Sequence, residues 1–243
     1  MDTGGAIAII FAGGTGSRMG PRDEIPKQFR VVGGRPILVR TLEHFEDHED
    51  VHGIYLSCLS THVQHALALI RQFGLTKVRG ITPGGETSQH SILNALRCAV
   101  EDGVPDGTIA LIHDGVRPVI TPALITANVR CAEKYGSAIT AIPCFETIAM
   151  SLDGACTVES VPARQLMHVL QAPQTFLLGE AYRMNARSLD DGLLGSFVDQ
   201  AQLMNHYGGR LRLVPGLRGN VKITTDFDLV QFRLMVEAGV VPM

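Results

Sequence analysis

The sequence predicts an α/β fold: a Rossmann-like, mostly parallel sheet with helices on both faces and a β-arm projecting from it. Three observations predict it. Short continuous apolar runs recur along the chain, as strands buried on both faces of a parallel sheet require. Segments with helical spacing separate them, and strand–helix alternation generates right-handed βαβ crossovers. The alternation then breaks at a stretch with β-branched residues around Asp153-Gly154, which is a hairpin signal.

The first run is Ala6 to Ala12, ended by glycines, and comparable runs occupy Gly53 to Leu59, Val78 to Thr82, Thr108 to His113 and Ala138 to Pro143. Helical spacing covers Pro36 to Phe45, Thr61 to Phe73, Ser88 to Val100 and Thr121 to Tyr135. Pro36 and Pro122 suit a first helical turn, and Thr61 and Thr121 suit N-caps. Glu146 to Pro162 reads as the projecting hairpin. Beyond it, His168 to Gln174 and Arg210 to Pro215 read as returning strands, with Leu178 to Arg187 and Asp199 to Tyr207 as helices. Thr225 to Glu237 is a terminal helix with Asp226 and Asp228 near its start, where acidic groups favour the dipole. No linker interrupts the pattern, so residues 1–243 read as one domain with 144–164 as a protruding arm.

At 243 residues, 45% hydrophobic and 19% charged, the chain is long enough to bury a sizeable core. Its formal net charge of −3 supplies no global basic field, which argues against a nucleic-acid partner held by charge; phosphate binding must be local. No apolar run approaches the roughly 20 residues of a bilayer span, and no signal-peptide pattern opens the chain, so a cytoplasmic protein with no membrane partner is expected. Five cysteines, Cys58, Cys98, Cys131, Cys144 and Cys156, show neither C-x-x-C pairing nor metal-type spacing and read as reduced thiols.

Four segments carry candidate chemistry. FAGGTGSRMG, residues 11–20, ends the first apolar run: glycines at 13, 14 and 16 let backbone N–H groups turn inward around phosphate oxygens, and Arg18 and Lys27 add cations. A glycine turn can equally just connect two elements; this one lacks both the G-K-[ST] ending and the G-x-G-x-x-G spacing. GGETSQHS, Gly84 to Ser91, admits a flat base beside the main chain and puts Ser91 in a first helical turn, or is simply a cap with Thr87 or Ser88 as N-cap. In IHDGVRP, Asp114 stands at the carboxyl end of a central strand, where open α/β sheets place their ligands. It would orient a substrate hydroxyl or assist a Mg2+, and Arg117 would grip a phosphate, unless the two form a loop-fixing ion pair. His113 reads as a packed strand-end histidine. In GNVKITTDFDL, Lys222 precedes the terminal helix, with Thr224 or Thr225 as its cap.

FAGGTGSRM with PKQF, the GG-x5-S segment, HDGVRP, QAPQTF at Gln171 to Phe176 and NVKITT, in this order, resemble the cytidylyltransferases of the methylerythritol phosphate (IspD) and ribitol 5-phosphate (TarI) families, from Ala6 to about Leu234. The resemblance implies an enzyme that moves a cytidylyl group from CTP, with Mg2+, onto the phosphate of a small polyol, in a homodimer whose arms exchange. It implies that Arg18 and Lys27 face the triphosphate with the turn Ala12, Gly13, Gly14, Thr15 and Gly16. It places Gly84, Gly85, Glu86 and Ser91 around cytosine and ribose, and Asp114 and Arg117 at the polyol and metal region, Asp114 as the candidate metal ligand. Lys222 would join Lys27 at the reacting phosphate, and Arg164 would reach from the arm to the acceptor phosphate in the partner's site.

The departures fall on the acceptor side. The methylerythritol branch commonly has HDAARP, an arm lysine, TPQ and a threonine before the later aspartate. Here stand Gly115 and Val116, Ala149, Ala172, and Val198 before Asp199. Val116 before Arg117-Pro118 and PQTF look more like the ribitol phosphate branch, so D-ribitol 5-phosphate is the expected acceptor and 2-C-methyl-D-erythritol 4-phosphate the alternative. A non-catalytic nucleotide-binding regulator, a nicotinamide dehydrogenase and a sugar-nucleotide pyrophosphorylase are the other readings weighed.

Overall fold

The computed structural model describes residues 5–13, 25–154 and 156–240. β1 (Ala6–Ala12) has apolar side chains on both faces and lies inside the sheet. A small hairpin, β2 (Val31–Val32) and β3 (Arg35–Pro36), turns through Gly33 and Gly34, whose φ of 54° and 76° suit a two-residue glycine turn. β4 (Val51–Cys58), β5 (Val78–Pro83) and β6 (Ile109–Asp114) complete the parallel half, pairing in the order β5-β4-β1-β6. β7 (Ser137–Pro143), β8 (His168–Leu177) and β9 (Leu213–Pro215) extend it to seven strands, ending β6-β8-β7-β9, with β8 antiparallel to both neighbours. The expected mostly parallel α/β sheet is thus the observed one.

Alternation along the strands divides the core between two layers of helices. Ala8, Ile10 and Leu111 face α1 (Ile37–Glu46), α2 (Val63–Gln72) and α4 (Pro122–Tyr135). Ile7, Ile9 and Ile112 face α3 (Ser88–Glu101), α5 (Leu178–Asp190) and α6 (Gln200–His206). A third cluster gathers Val32, Ile37, Val116, Ile223, Leu229, Phe232 and Val236, and fastens α7 (Asp226–Glu237) beside the strand ends. Burying Phe232 there is worth about 1.5–3 kcal/mol relative to leaving it in water.

The local expectations divide. Thr121 caps α4 with Pro122 in its first turn, Thr87 caps α3, and Thr225 caps α7, all as read. Pro36 is a correction: it ends β3 and occupies the N-cap position of α1 rather than its first turn. Thr61 is another, because a 3-10 turn, Ser60–His62, precedes α2 and the Thr61 hydroxyl meets His62 instead. The arm leaves the sheet after Pro143 and returns at His168, but it is not the ladder expected. Its pairing reduces to a bridge between Met150 and Ser160. The Asp153-Gly154 turn does form, with Gly154 at φ 78° and Asp153 Oδ1 accepting from Ser151 Oγ, Cys156 N and Thr157 N. Side chains such as Leu152, Val158 and Val161 stand exposed along the arm, so this chain alone gives it no apolar face to pack on.

α7 matters to the site because its capping box fixes the residues just after Lys222. Thr225 Oγ1 accepts from Asp228 N, while Asp228 Oδ2 accepts from Thr224 N, Thr224 Oγ1 and Thr225 N. We predict that Asp228→Ala lowers the unfolding free energy by about 1–2 kcal/mol, since a cap and a charge-assisted bond are lost together. Urea titration checks it; an unchanged midpoint would remove the box from the account.

Candidate functional site

A cavity of about 670 Å3 opens where the carboxyl ends of β1, β4, β5 and β6 meet, the place an open α/β sheet leaves for a ligand. Ala12, Gly13, Lys27, Gly84, Gly85, Glu86, Ser91, Asp114 and Lys222 all line it, so four separate segments of the sequence converge on one space. Lys27 begins a 3-10 turn, Lys27–Phe29, that is pinned to the end of β1 by Gln28, whose buried amide donates to the Ala12 carbonyl at 2.8 Å. Phe29 beneath it is buried and stacks on His62. Gly14, Thr15, Gly16 and Arg18 lie outside the described residues.

The glycine side is organised by one hydroxyl. Ser91 is buried, donates to the Thr87 carbonyl at 3.1 Å and accepts from Gly85 N at 3.1 Å. Gly84 N donates to the Cys58 carbonyl at 2.6 Å. Close packing explains the glycines: a Cβ on Gly13 would come within 2.8 Å of Ser91 Oγ, and one on Gly84 within 3.2 Å of the Cys58 carbonyl and of Gly13 Cα. The turn's polar groups are thus largely engaged within the protein. The Ser91 hydroxyl, read as a ligand for phosphate or sugar, holds the turn and has its proton committed. The N–H groups of Gly84 and Gly85 are engaged within the protein too, which leaves their carbonyl oxygens, untaken by any hydrogen bond among the described residues, to meet a base.

The charged centre is Asp114. Its Oδ1 pairs with Lys222 Nζ at 2.6 Å and its Oδ2 with Arg117 Nε at 2.9 Å. Burial alone would push this carboxyl up, but the charges of Lys222 and Arg117 and the bond from Lys222 outweigh it and hold it well below the usual carboxylate range. The loop-fixing ion pair left open in the sequence is therefore present, with Lys222 as its third member. Arg117 also donates through Nη1 to the Asn220 carbonyl at 2.7 Å and does not line the cavity, so it braces Asp114 from behind.

Two further side chains lock the Lys222 segment in place and were not singled out from the sequence. Gln171 Nε2 donates to the Leu217 carbonyl at 2.9 Å and its Oε1 accepts from Leu217 N at 3.3 Å. Asn220 Nδ2 donates to the Ala172 carbonyl at 2.6 Å. Both lie inside motifs already quoted, QAPQTF and GNVKITT, and their signal was a polar side chain within a strand or beside a glycine. Ile223 N donates to the Val116 carbonyl at 3.0 Å, which ties this segment to the Asp114 loop.

α1 holds the other side of that loop. Thr41 Oγ1 approaches the Gly115 carbonyl at 3.2 Å, and His44 Nε2 donates to the Pro118 carbonyl at 3.0 Å. A Cβ on Gly115 would come within 2.9 Å of Ala12 Cβ, a reason for glycine here. His113 packs as expected, fully buried and edge-on to Phe45. Its Nε2 donates to the Arg117 carbonyl at 3.1 Å, so the ring carries its proton there and Nδ1 is left without a partner. Burial pushes this imidazole down to about 4, because a second proton would charge a ring with nothing to receive it.

Arg164 does not reach the cavity of its own chain. It stands at the arm root, with Nη1 donating to the Phe145 carbonyl at 3.1 Å. Of the departures, Ala172 is buried in β8 and Val198 is 85% exposed; neither lines the cavity. Among the described residues no group of three or more His, Cys, Asp or Glu is assembled to cage a metal.

Gly13 and the Gly84-Gly85 turn, two lysines and a doubly paired aspartate thus surround one cavity at the strand ends, an arrangement suited to a nucleotide and its phosphates. The chain belongs to the 2-C-methyl-D-erythritol 4-phosphate cytidylyltransferase family, whose pattern it matches over residues 6–238, and it is a CTP-dependent nucleotidyltransferase. It is 36% identical over 231 residues, 95% of each chain, to a ribitol-5-phosphate cytidylyltransferase of Vibrio parahaemolyticus. It is 35% identical over 223 residues, 91% of this chain and 92% of the other, to a 2-C-methyl-D-erythritol 4-phosphate cytidylyltransferase of Syntrophotalea carbinolica. The crystal structure of the latter kind of enzyme from Thermus thermophilus superposes with a TM-score of 0.74 at 25% identity, covering 94% of this chain and 98% of that one.

His113 and Asp114 make stability acid-sensitive. His113 titrates at about 4 when folded and near 6.5 when unfolded, so between those values the unfolded chain binds a proton that the folded chain refuses. Stability from this residue is complete above pH 6.5 and lost as pH falls toward 4; Asp114, also held low, adds a loss in the same direction below the ordinary aspartate value of 3.8. We predict that the wild type loses roughly 2 kcal/mol more than His113→Gln between pH 7 and pH 5, measured by urea unfolding. Equal losses would mean that His113 titrates normally.

Proposed function

We propose that the enzyme transfers CMP from CTP to D-ribitol 5-phosphate, giving CDP-ribitol and pyrophosphate. The observation that carries the transfer is the convergence of Lys27, Lys222 and Asp114 with the glycine turns in one cavity. A phosphate monoester has its second pKa near 6, so at pH 7 the acceptor is already a dianion and needs no general base. One of its oxygens forms the new bond to the α-phosphorus of CTP as the bond to the β-phosphate breaks, and the electron pair leaves on pyrophosphate. The protein's task is to bring two anions together and to meet the charge that grows between them. Lys27 and Lys222, both lining the cavity, do this. Asp114 keeps Lys222 poised at the cavity and its backing arginine keeps Asp114 ionised.

The base is read by what the glycine turn has left. The Gly84 and Gly85 carbonyls accept from the exocyclic amine of cytosine, whereas the O4 of uracil would set oxygen against oxygen. Asp114, the carboxylate at the centre of the cavity, would be the residue to hold a Mg2+ entering with the triphosphate, exchanging Lys222 for it, and the ion would supply neutralisation of phosphate charge. Ribitol phosphate is favoured over methylerythritol phosphate by Ala149, Ala172 and Val198, which offer no amine or hydroxyl where the other branch has them. The exposed Leu152, Val158 and Val161 of the arm support a homodimer in which arms exchange and Arg164 serves the partner's acceptor site. Five free cysteines suit the reducing cytoplasm proposed as its location.

Pyrophosphate release from CTP with ribitol 5-phosphate, methylerythritol 4-phosphate, arabinitol 5-phosphate and glycerol 3-phosphate tests the acceptor; highest kcat/KM with ribitol 5-phosphate is expected, and a preference for methylerythritol 4-phosphate would overturn the choice. The same assay with UTP should run at least tenfold slower than with CTP, and equal rates would refute the carbonyl reading of the turn. Lys27→Ala and Lys222→Ala should each lower turnover by about a hundredfold or more with the fold intact by circular dichroism, as when one transition-state contact is lost. Near-wild-type turnover in either would take that lysine out of the reaction centre.

A further inference from the structure

Phe11 is, among the described residues, the only aromatic side chain that lines the cavity. In the pairing of β1 with β6 it stands opposite Asp114, and Gly115 N donates to the Phe11 carbonyl at 2.9 Å. Side chains alternate along both strands, so Phe11 follows Ile7 and Ile9 on the face that Asp114 shares with Ala110 and Ile112. Ring and carboxylate are therefore neighbours. The ring packs against the cluster of Ile7, Ile9 and Ile112, which seats it, and remains half-buried where the cavity begins.

Lys222 completes the group. Its Nζ lies 5.8 Å from the centre of the Phe11 ring while it pairs with Asp114 Oδ1 at 2.6 Å, so the ammonium has a charge on one side and a π face on another. These two contacts behave differently when a substrate phosphate enters. The carboxylate takes an N–H of the lysine and repels the phosphate. The ring attracts the ammonium through its quadrupole, takes up no particular donor and carries no net charge. The Lys222 side chain is 38% exposed, and a long stem of this kind needs a surface to lie on. Once the N–H donors turn from Asp114 to phosphate, the ring is the contact that persists, and Asp114 keeps its pairing with Arg117.

We propose that Phe11 is a positioning residue for the cytidylyl transfer, its ring face holding the Lys222 ammonium at the reaction centre while Asp114 yields it to the substrate's phosphates. The proposal rests on the reading of Lys222 as a lysine that meets the reacting phosphate, and it deepens that reading. Its effect belongs to kcat. Charge on the moving phosphoryl group grows in the transition state, so a lysine held off its mark loses more there than in the bound complex. An aliphatic side chain of similar bulk would fill the same space and offer the ammonium no attraction.

The test is steady-state kinetics of the full-length enzyme, with CTP and the acceptor it turns over best, for Phe11→Met, Phe11→Tyr, Lys222→Ala and the Phe11→Met, Lys222→Ala pair. Methionine nearly conserves volume and adapts to irregular packing, so it removes the π face and little else. Phe11→Met should lower kcat roughly threefold to thirtyfold, the span of a cation–π contact from exposed to desolvated, with both KM values within about twofold. Phe11→Tyr keeps the face and should recover most of the loss. In the Lys222→Ala background, Phe11→Met should cost less than about twofold more, because no ammonium is left to hold. A second measurement is independent of turnover. The chain has four lysines, Lys27, Lys77, Lys134 and Lys222, and the ε-methylene NMR signal lost in Lys222→Ala identifies Lys222. That signal should be shielded by the ring in the wild type and in Phe11→Tyr, with and without CTP, and move downfield in Phe11→Met. A full Phe11→Met penalty in the Lys222→Ala background, equal rises in both KM values, or a Lys222 signal indifferent to the ring would make Phe11 a packing residue and overturn the proposal. If Lys222→Ala keeps near-wild-type turnover, the reading of Lys222 fails and the positioning role falls with it. A large loss in Lys222→Ala beside an unchanged kcat in Phe11→Met sinks the Phe11 proposal alone.

Discussion

Asp114 is a carboxylate 6% exposed at the end of a central strand, and its ionised state depends on two cations that come from different parts of the chain. Arg117 is local, three residues on; Lys222 is brought from beyond β9 by a segment that itself needs Gln171, Asn220 and the α7 cap to hold its path. Removing one partner of a fully buried pair typically costs about 3–5 kcal/mol, mostly through the charge left behind. The Lys222 side chain is 38% exposed, so water relieves part of that cost and the lysine can exchange its carboxylate for an incoming phosphate. A deeper lysine would be held too firmly to serve a substrate. A more exposed one would not be aimed.

The donor side shows the opposite economy of means, with position set by neutral contacts. Gly13, Gly84 and Gly85 approach one another closely because none carries a side chain, and Ser91 closes the turn from below. Since Ser91 takes the Gly85 N–H and the Cys58 carbonyl takes that of Gly84, the turn is stiff before any ligand arrives. What it offers outward is carbonyl oxygen, and that asymmetry suits a base with an amino group. Bulk is excluded at all three positions by their neighbours, Ser91 at Gly13, the Cys58 carbonyl at Gly84 and His90 at Gly85.

Much of this was legible in the sequence, for reasons that differ by element. Apolar runs buried on both faces mark β1, β4 and β6 without any partner, and a charged residue ending such a run marks Asp114. Thr121 and Thr225 announce helix starts because capping is a local geometry. Thr61 failed because a 3-10 turn shifted the helix start beyond it, a choice made by packing under Phe29 rather than by propensity. The arm failed as a ladder because β-branched residues favour strands only where a neighbouring strand or core receives them. Ser91 was found, but its part in holding the turn was not, since a hydroxyl's partners depend on distances that spacing does not encode. Gln171 and Asn220 were passed over because their partners are backbone atoms nearly fifty residues away in the chain.

These contrasts bear on why one fold serves two acceptors. The donor half rests on glycines, a buried serine and strand ends, all of which are also packing positions; changing them would disturb the sheet as well as CTP. On the proposed reading the acceptor half rests on the arm and on exposed side chains such as Arg164 and Val198, on which the core does not depend. Substitutions there alter what is bound at little cost in stability, since surface changes away from caps and buried pairs are usually within about 0.5 kcal/mol. The chain is 36% identical to a ribitol-5-phosphate cytidylyltransferase and 35% identical to a 2-C-methyl-D-erythritol 4-phosphate one, so overall identity does not separate the two acceptors. Acceptor choice has to be read from the few positions where the core exerts no restraint.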